Sequence, residues 1–483
     1  MLAIINLGII FRVISRNMYI LAVSLALCMG VALIFHESVV PFLMSGLVAG
    51  AIGLLAQVMK RKQEEELPFQ GKEAYLIVTI SWLLLSLVGA LPYLISGAIP
   101  GFVDALFESV SGFTTTGSSI LTDIEVLPKS ILFWRSLTHW IGGIGIIVLV
   151  IIVMPRLQIG GHHLFTLESS MQEKIKPKIK SVGKSLLKIY VGLTVAEIGF
   201  LLLGGMNLYE SVCHAFGTVA TGGFSPLNSS IAGYSPYIQY VIMVFMLLAG
   251  TNFIVHYYLL RRDFKRVGAN EELKFYLFMV FVIGTLITWV LFRKTGLGLE
   301  AAFREAFFQV ISIITCTGFA SADYMQWPVF GWTLLFISMF LGGSTGSTAG
   351  GIKMGRHLAV YKNLKRYVAQ LASPNAVLPL RINGNLVSDS ANRSILTFVW
   401  LYFVVFAIGS LVMVILGVDG ASASSSVATC MAGIGPGIGK VGPAHNFSHL
   451  PDAGKLVLSF IMLVGRLEIY TIVILFTRNF WRK

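Results

Sequence analysis

Four short segments, Thr115-Thr116-Gly117, Ala220-Thr221-Gly222, Cys316-Thr317-Gly318 and Gly433-Ile434-Gly435, each fall between long apolar stretches of the chain. Their glycines, at 117, 222, 318 and 435, recur at similar intervals, which reads as a fourfold internal repeat. The chemistry they could do is ion coordination. A cation crossing a membrane must exchange its hydration shell for oxygen ligands, and rings of main-chain carbonyls supply these without burying a fixed charge. Glycine turns a carbonyl inward from backbone angles that other residues avoid. Four such loops around one axis would form a filter. Close helix packing through small residues is the alternative for any one of them.

The first and third repeats match best. Phe107-Glu108-Ser109-Val110-Ser111 precedes Gly117 at the offset at which Phe308-Gln309-Val310-Ile311-Ser312 precedes Gly318, with Thr114 matching Thr315 and Thr116 matching Thr317. The second keeps Thr221 before Gly222. The fourth, Ala432-Gly433-Ile434-Gly435-Pro436-Gly437, has no hydroxyl in its loop.

A second site lies in the span after the third loop. From Gly342 to Gly351 no large apolar side chain occurs, and Gly342, Gly343, Gly346, Gly350 and Gly351 each cost a helix roughly 0.8–1.0 kcal/mol relative to alanine. The span should break into two half-helices joined by a loop that lines the pore below the filter, either a mobile gate or a static kink. Lys353 closes this loop and is given an electrostatic role. Arg466 is an ionisable group inside the last span, where such groups usually face a cavity. Its pairing with Glu468, two residues on, is disfavoured because the two would face different directions on a helix. Glu197, Asn252 and His256 are further polar residues in spans, open either to ion or proton roles or to helix–helix hydrogen bonds.

Enzymatic readings fail. Lys353 follows Ile352 and no Ser or Thr comes next, so the Gly342–Lys353 run is not a phosphate loop, and Gly433-Ile434-Gly435-Pro436-Gly437-Ile438-Gly439 lacks the preceding strand of a dinucleotide site. Cys28, Cys213, Cys316 and Cys430 form no CxxC pair and read as packing residues, and His162-His163 reads as a solvated loop, so no metal centre with side-chain ligands is expected.

The elements that must position these residues are membrane helices. The 483-residue chain is 55% hydrophobic and 12% charged, too apolar for a soluble protein. Apolar stretches near 13–35, 39–59, 74–95, 131–154, 186–203, 238–260, 275–292, 330–360 (interrupted), 395–416 and 456–477 give ten spans, the first of them kept as a mature helix because no cleavage site follows it. The net charge of +13 gathers in alternate connections: Lys60, Arg61 and Lys62; Arg156, Lys174, Lys176, Lys178, Lys180 and Lys184; and Arg261, Arg262, Lys265 and Arg266. These connections face the cytoplasm, as do both termini, so nucleic-acid binding is not expected. The Thr/Gly loops then enter from outside, near Asp104, Glu108, Asp123, Glu125, Glu300, Glu305, Asp323 and Asp419, acids that either concentrate cations or are solvated surface.

The expected fold is an all-α polytopic membrane protein. A two-helix unit (1–68) precedes four helix–pore loop–helix repeats at 69–183, 184–270, 271–385 and 386–483, the first carrying a cytoplasmic loop and the third the gating loop. The connections 155–184 and 361–393 are too short for an independent core, so any cytosolic regulatory domain must be a separate chain.

These loops, the run Gly342-Gly343-Ser344-Thr345-Gly346-Ser347-Thr348-Ala349-Gly350-Gly351-Ile352-Lys353, and Gly465-Arg466-Leu467-Glu468 resemble the Trk/Ktr/HKT superfamily of potassium transporters, within it the bacterial TrkH type, and the resemblance runs over essentially the whole chain. It implies K⁺ uptake across a bacterial inner membrane, with K⁺ as transported ion held by filter carbonyls and no organic cofactor. It also implies a homodimer with one pore per subunit and gating by a cytosolic, nucleotide-binding TrkA-type ring that takes NAD or ATP. It places Arg466 below the filter beside the gating loop. Glycine rather than serine at Gly117 goes with K⁺ over Na⁺. A symporter coupled to Na⁺ or H⁺, with Glu197 as the first residue to test, is the alternative; a membrane-embedded enzyme or a pump permease is the more distant rival.

Overall fold

The computed structural model describes residues 6–61, 71–148 and 178–482. The basic connection containing Arg156, Lys174 and Lys176, the pair His162-His163, and Lys62 lie outside the described residues. Within them the chain is helical except for loops and one two-stranded hairpin.

Helices α1 (Leu7–Ile34) and α2 (Val40–Arg61) lead the chain. α1 packs against α2 and against the first repeat, in which α3 (Gly71–Gly89) and α4 (Leu91–Ser96) precede the pore helix α5 (Phe102–Phe113) and α6 (Lys129–Val148) follows it. The α1–α2 connection also caps the repeat. The Glu37 carboxylate accepts the N–H groups of Lys129 at 2.7 Å and Ser130 at 2.8 Å, two donors that the start of α6 would otherwise leave unpaired.

The second repeat is α7 (Lys178–Leu203), pore helix α8 (Leu208–Ala220), α9 (Pro236–Ala249) and α10 (Phe253–Leu260), followed by the short α11 (Phe264–Ala269). The third is α12 (Glu271–Lys294), pore helix α13 (Leu299–Ile314), α14 (Val329–Ser338) and, after a non-helical stretch at 339–353, α15 (Met354–Ala372). The hairpin β1 (Arg381–Ile382) and β2 (Asn385–Leu386) comes next. The fourth is α16 (Asp389–Ile415), pore helix α17 (Gly420–Ala432), α18 (Asp452–Arg466) and α19 (Ile469–Val473), with α20 (Arg478–Trp481) closing the chain. Ser, Asp and Asn caps start many of these helices; Asn207, for example, accepts the Glu210 N–H at 2.9 Å and Asp419 the Ser422 N–H at 3.0 Å.

In their described residues all ten expected spans are mainly helical, but not all as continuous helix, and 149–154 of the fourth lie outside the described residues. Six described helices are long and apolar enough to cross a membrane, and two more spans are bent pairs: Pro236–Ala249 with Phe253–Leu260 at 101°, and Asp452–Arg466 with Ile469–Phe476 at 112°. The expectation of unbroken spans at 238–260 and 456–477 is therefore corrected. The first break also gives Asn252 and His256 their work. Asn252 caps α10 by accepting the Ile254 N–H at 2.8 Å, while the His256 ring donates from Nε2 to the Leu248 carbonyl at 2.8 Å, so an interrupted helix at membrane depth keeps its polar groups paired.

The hairpin was not anticipated. Its turn, Asn383-Gly384, has φ of 51° and 77°, both left-handed as a two-residue hairpin turn requires. Leu380, Ile382 and Val387 bury themselves with Leu358, Ala359, Ala391 and Ile395, fastening the end of the third repeat to the start of the fourth. Apolar side chains such as Ile20, Val23, Phe281, Trp289, Leu411 and Ile415 stand exposed on the outer helices, as lipid-facing positions would.

Candidate ion pathway

Each pore helix ends in the same turn. One residue takes a left-handed conformation, the next returns to negative φ, and a third is a glycine at positive φ: Thr115 (53°) with Gly117 (79°), Thr221 (54°) with Gly223 (80°), Cys316 (57°) with Gly318 (80°), and Gly433 (73°) with Gly435 (104°). The middle residue of each turn donates its N–H back five residues, Thr116 to Ser111, Gly222 to Gly217, Thr317 to Ser312 and Ile434 to Thr429, at 2.8–3.0 Å. This is a Schellman ending, which satisfies the orphan carbonyl of the last helical turn. Three of the left-handed residues are not glycine. Such conformations are uncommon for Thr and Cys and are held here by the surrounding packing.

The turns correct the register of the second repeat. Equivalence with Thr115-Thr116-Gly117 falls on Thr221-Gly222-Gly223, and Ala220 is the last residue of the pore helix, matching Thr114. Gly222 is glycine for another reason. A Cβ there would stand 2.5 Å from the His139 ring, which donates from Nδ1 to the Gly112 carbonyl at 2.8 Å and accepts the Phe224 N–H on Nε2 at 3.1 Å.

In that register the four loops touch in cyclic order. A Cβ on Gly117 would fall on the carbonyl oxygen of Gly222, one on Gly223 on that of Thr317, and one on Gly318 on that of Ile434; one on Gly435 would lie 3.0 Å from that of Thr116. The third residue of every loop thus abuts the middle carbonyl of the next, and the fourth returns to the first. Hydroxyls brace the ring. Thr114 donates to the Val110 carbonyl and Thr315 to that of Ile311, each at 2.7 Å, so in the 2.8 Å pairs Thr114–Thr116 and Thr315–Thr317 the second threonine is the donor. Loop 4 borrows its bracing: Thr429 donates to the Pro436 carbonyl and Ser118 of loop 1 to the Gly435 carbonyl, both at 3.1 Å.

Behind loops 1 and 2 lies a buried ion pair, Arg135 with Glu108 at 2.8 Å. Arg135 also donates to the Ser225 carbonyl at 3.3 Å and stacks 4.0 Å above the Phe224 ring, while Glu108 accepts the Ile120 N–H at 3.1 Å. Glu108, grouped by sequence with the outer acids, is interior. Asp104 and Glu300 pair with Lys455 at 2.6 Å and Arg304 at 2.8 Å. Truncating one partner of a buried pair leaves the other charge uncompensated, at about 3–5 kcal/mol. Arg135→Ala is expected to lose most folded protein; a detergent melting curve like that of the wild type would show that the pair does not hold the loops.

The 339–353 stretch packs under the ring. A Cβ on Gly350 would fall on the Ala432 carbonyl, one on Gly351 would come within 3.6 Å of Cys316 Sγ, and Thr348 Oγ1 lies 3.1 Å from the Val219 carbonyl, so the stretch reaches the ends of three pore helices. The Arg466 guanidinium donates to the carbonyls of Thr348 at 2.9 Å and Gly142 at 3.1 Å; a Cβ on Gly142 would in turn fall on the Phe113 carbonyl, at the end of the remaining pore helix. Gly342 and Gly343 lie in the first half of the stretch, Gly346 takes φ 78° in it, and Lys353 donates to the Ala349 carbonyl at its end. Glu468 pairs not with Arg466 but with Arg356, at 2.5 Å. Glu197 is buried on α7, facing Thr218 of the second pore helix, outside the loops. Among the described residues no cluster of His, Cys, Asp or Glu could hold a metal ion, and the four cysteines are free and buried.

Six apolar helices long enough to cross a membrane and two bent pairs among the described residues, with four like turns in cyclic contact and an irregular stretch packed against them, define a polytopic membrane protein. Residues 43–483 match the family model TrkH, described as a cation transport protein. The chain belongs to this TrkH family, whose members are transporters and not enzymes. It is similar to the Trk system potassium uptake protein TrkH of Escherichia coli K12, 37% identical over 464 residues that cover 94% of this chain and 95% of that one. It is also similar to TrkI of Halomonas elongata, 35% identical over 85% of this chain and 84% of that one. The crystal structure of the potassium transporter TrkH from Vibrio parahaemolyticus superposes with a TM-score of 0.91, at 32% identity, covering 99% of this chain and all of that one.

Proposed function

We propose that this chain is the membrane subunit of a potassium uptake system, passing K⁺ inward down its electrochemical gradient through the ring of loops. The observation that carries the reading is the cyclic contact of the third-position glycines with the middle carbonyls, which leaves main-chain oxygens of 115–117, 221–223, 316–318 and 433–435 to replace water around a dehydrated ion. Potassium is favoured because the relatives it resembles over nearly its whole length are named for potassium uptake. The driving force would be the membrane potential, about 2.3 kcal/mol per charge per 100 mV.

The 339–353 stretch serves as the gate and Arg466 as a cationic barrier tied to it. The repeats divide at 69, 271 and 386 and ahead of α7, whose helix already runs from Lys178 rather than from the sequence boundary at 184. The chain works in a bacterial inner membrane, with both termini cytoplasmic, as a homodimer under a cytosolic TrkA-type nucleotide-binding ring; relatives named as parts of a Trk system support the partner.

Flux of K⁺, Rb⁺ and Na⁺ into liposomes containing the purified protein tests this. K⁺ and Rb⁺ are expected to pass and Na⁺ to be excluded, with flux raised by the cytosolic ring; equal passage of all three would reject the filter assignment. Repeating the assay with imposed Na⁺ and pH gradients separates a channel from a coupled symporter, since only a symporter would move K⁺ uphill.

A further inference from the structure

We propose that Glu272 is the positioning residue that holds the intramembrane stretch at rest, and that it joins the stretch to the cytoplasmic end of the molecule. This rests on the gating role assigned above.

Glu272 is the second residue of α12 and is 8% exposed. Its Oε1 accepts two backbone N–H groups, from Thr345 at 2.6 Å and from Gly355 at 2.8 Å. Thr345 lies on the limb that enters the stretch and Gly355 on the limb that leaves it, so one carboxylate oxygen pins both. The limbs cross too closely for a side chain: a Cβ on Gly355 would come 2.8 Å from Thr345 Oγ1 and 3.1 Å from Glu272 Oε1. Other bonds at the base, Met354 N–H to the Gly343 carbonyl at 3.1 Å and Ser344 N–H to the Gly250 carbonyl at 2.8 Å, join neutral groups. Bonds to an ionised carboxylate are roughly twice as strong.

The neighbouring residues face the other way along the molecule. Glu271 donates its N–H to Asn383 of the hairpin turn at 2.8 Å, and its carboxylate pairs with Lys362 of α15, which also donates to the Arg381 carbonyl at 2.8 Å. Three consecutive positions, Asn270 capping the helix, Glu271 and Glu272, therefore connect the hairpin and α15 to both limbs of the gate. A displacement of α15 or the hairpin would pass through this corner to the stretch under the ring.

The test is Rb⁺ flux and K⁺/Na⁺ preference of the full-length protein in liposomes for Glu272→Ala, Glu272→Gln, a deletion of residues 346–350, and Glu272→Ala combined with that deletion, each with a melting curve. Glu272→Ala is expected to raise basal flux about tenfold, the change that a loss of about 1.4 kcal/mol of hold on the closed stretch gives, with ion preference unchanged. Glu272→Gln, which keeps a neutral acceptor, should give a smaller rise, and the combined variant should not exceed the deletion alone. Folded Glu272→Ala with wild-type flux, or with altered ion preference, would overturn the proposal. If Glu272→Ala does not fold, Glu272→Gln decides, and wild-type flux in it is equally fatal. A deletion that leaves flux unchanged removes the gating role itself, whereas a deletion that raises flux beside silent Glu272 variants removes only the role of Glu272.

Discussion

Gly223→Ala is expected to abolish selective K⁺ flux while leaving the helices in place. Gly223 has φ 80°, where an L-residue costs about 1–2 kcal/mol. The larger effect is steric. The added methyl would occupy the position of the Thr317 carbonyl oxygen, and a backbone group in a closed ring cannot step aside without carrying its loop with it. The same reasoning applies to Gly117 and Gly318, whose Cβ positions coincide with the Gly222 and Ile434 carbonyls. Gly117→Ser is accordingly expected to weaken K⁺ over Na⁺ discrimination. A shift of about 1.4 kcal/mol in the relative binding of the two ions is a tenfold change in preference, within what displacing one of four carbonyl ligands should do. Rb⁺ uptake and the K⁺/Na⁺ permeability ratio, measured in liposomes, read the outcome. A wild-type ratio in folded Gly223→Ala protein would take this residue out of the filter.

Arg466→Ala should raise basal conduction by tenfold or more. The guanidinium bridges Thr348 of the intramembrane stretch and Gly142 of the first repeat, and hydrogen bonds to charged groups contribute about 1.5–3 kcal/mol each. On the proposed reading, removing it frees the stretch and also takes away a positive charge that would oppose a cation passing the ring. Arg466→Lys separates the two effects. Lysine keeps the charge but lacks the planar fork that reaches both carbonyls at once, so its flux should fall between wild type and alanine. Unchanged flux in both variants, measured without the cytosolic ring, would mean that Arg466 is structural; loss of folded protein in the alanine variant alone would point the same way.

Much of this was legible in the sequence because membrane helices and glycine-rich turns have strong signatures. In their described residues all ten apolar stretches are mainly helix, and the glycine run after Phe340 does not continue one. The register of loop 2 was not legible. Ala220-Thr221-Gly222 aligns with Thr115-Thr116-Gly117 by its Thr-Gly pair, but two glycines stand together there for different reasons, Gly222 to admit the His139 ring and Gly223 to adopt the left-handed angle. A backbone angle and a tertiary contact look alike in one letter. The breaks at Gly250-Thr251-Asn252 and Leu467-Glu468 were missed because hydropathy averages over a window much longer than three residues, and Asn252 could be recognised as a cap only once the break itself was known. Glu108 illustrates a further limit. Its partner Arg135 is distant in the chain, and a carboxylate beside an outer loop reads as surface charge until the fold buries both. Glu272 gave no signal, since an acid in the first turn of a helix is commonplace and its two N–H donors come from far along the sequence.

The cyclic contact of the loops is the claim on which ion choice, gating and the mutational effects all depend. Crystals of the protein soaked in Tl⁺ or Rb⁺ and measured at the absorption edge of the ion would test it most directly. Anomalous density is expected on a common axis, ringed by main-chain oxygens from all four loops at residues 115–117, 221–223, 316–318 and 433–435. Density confined to one loop or to the protein surface, with none on that axis, would contradict it.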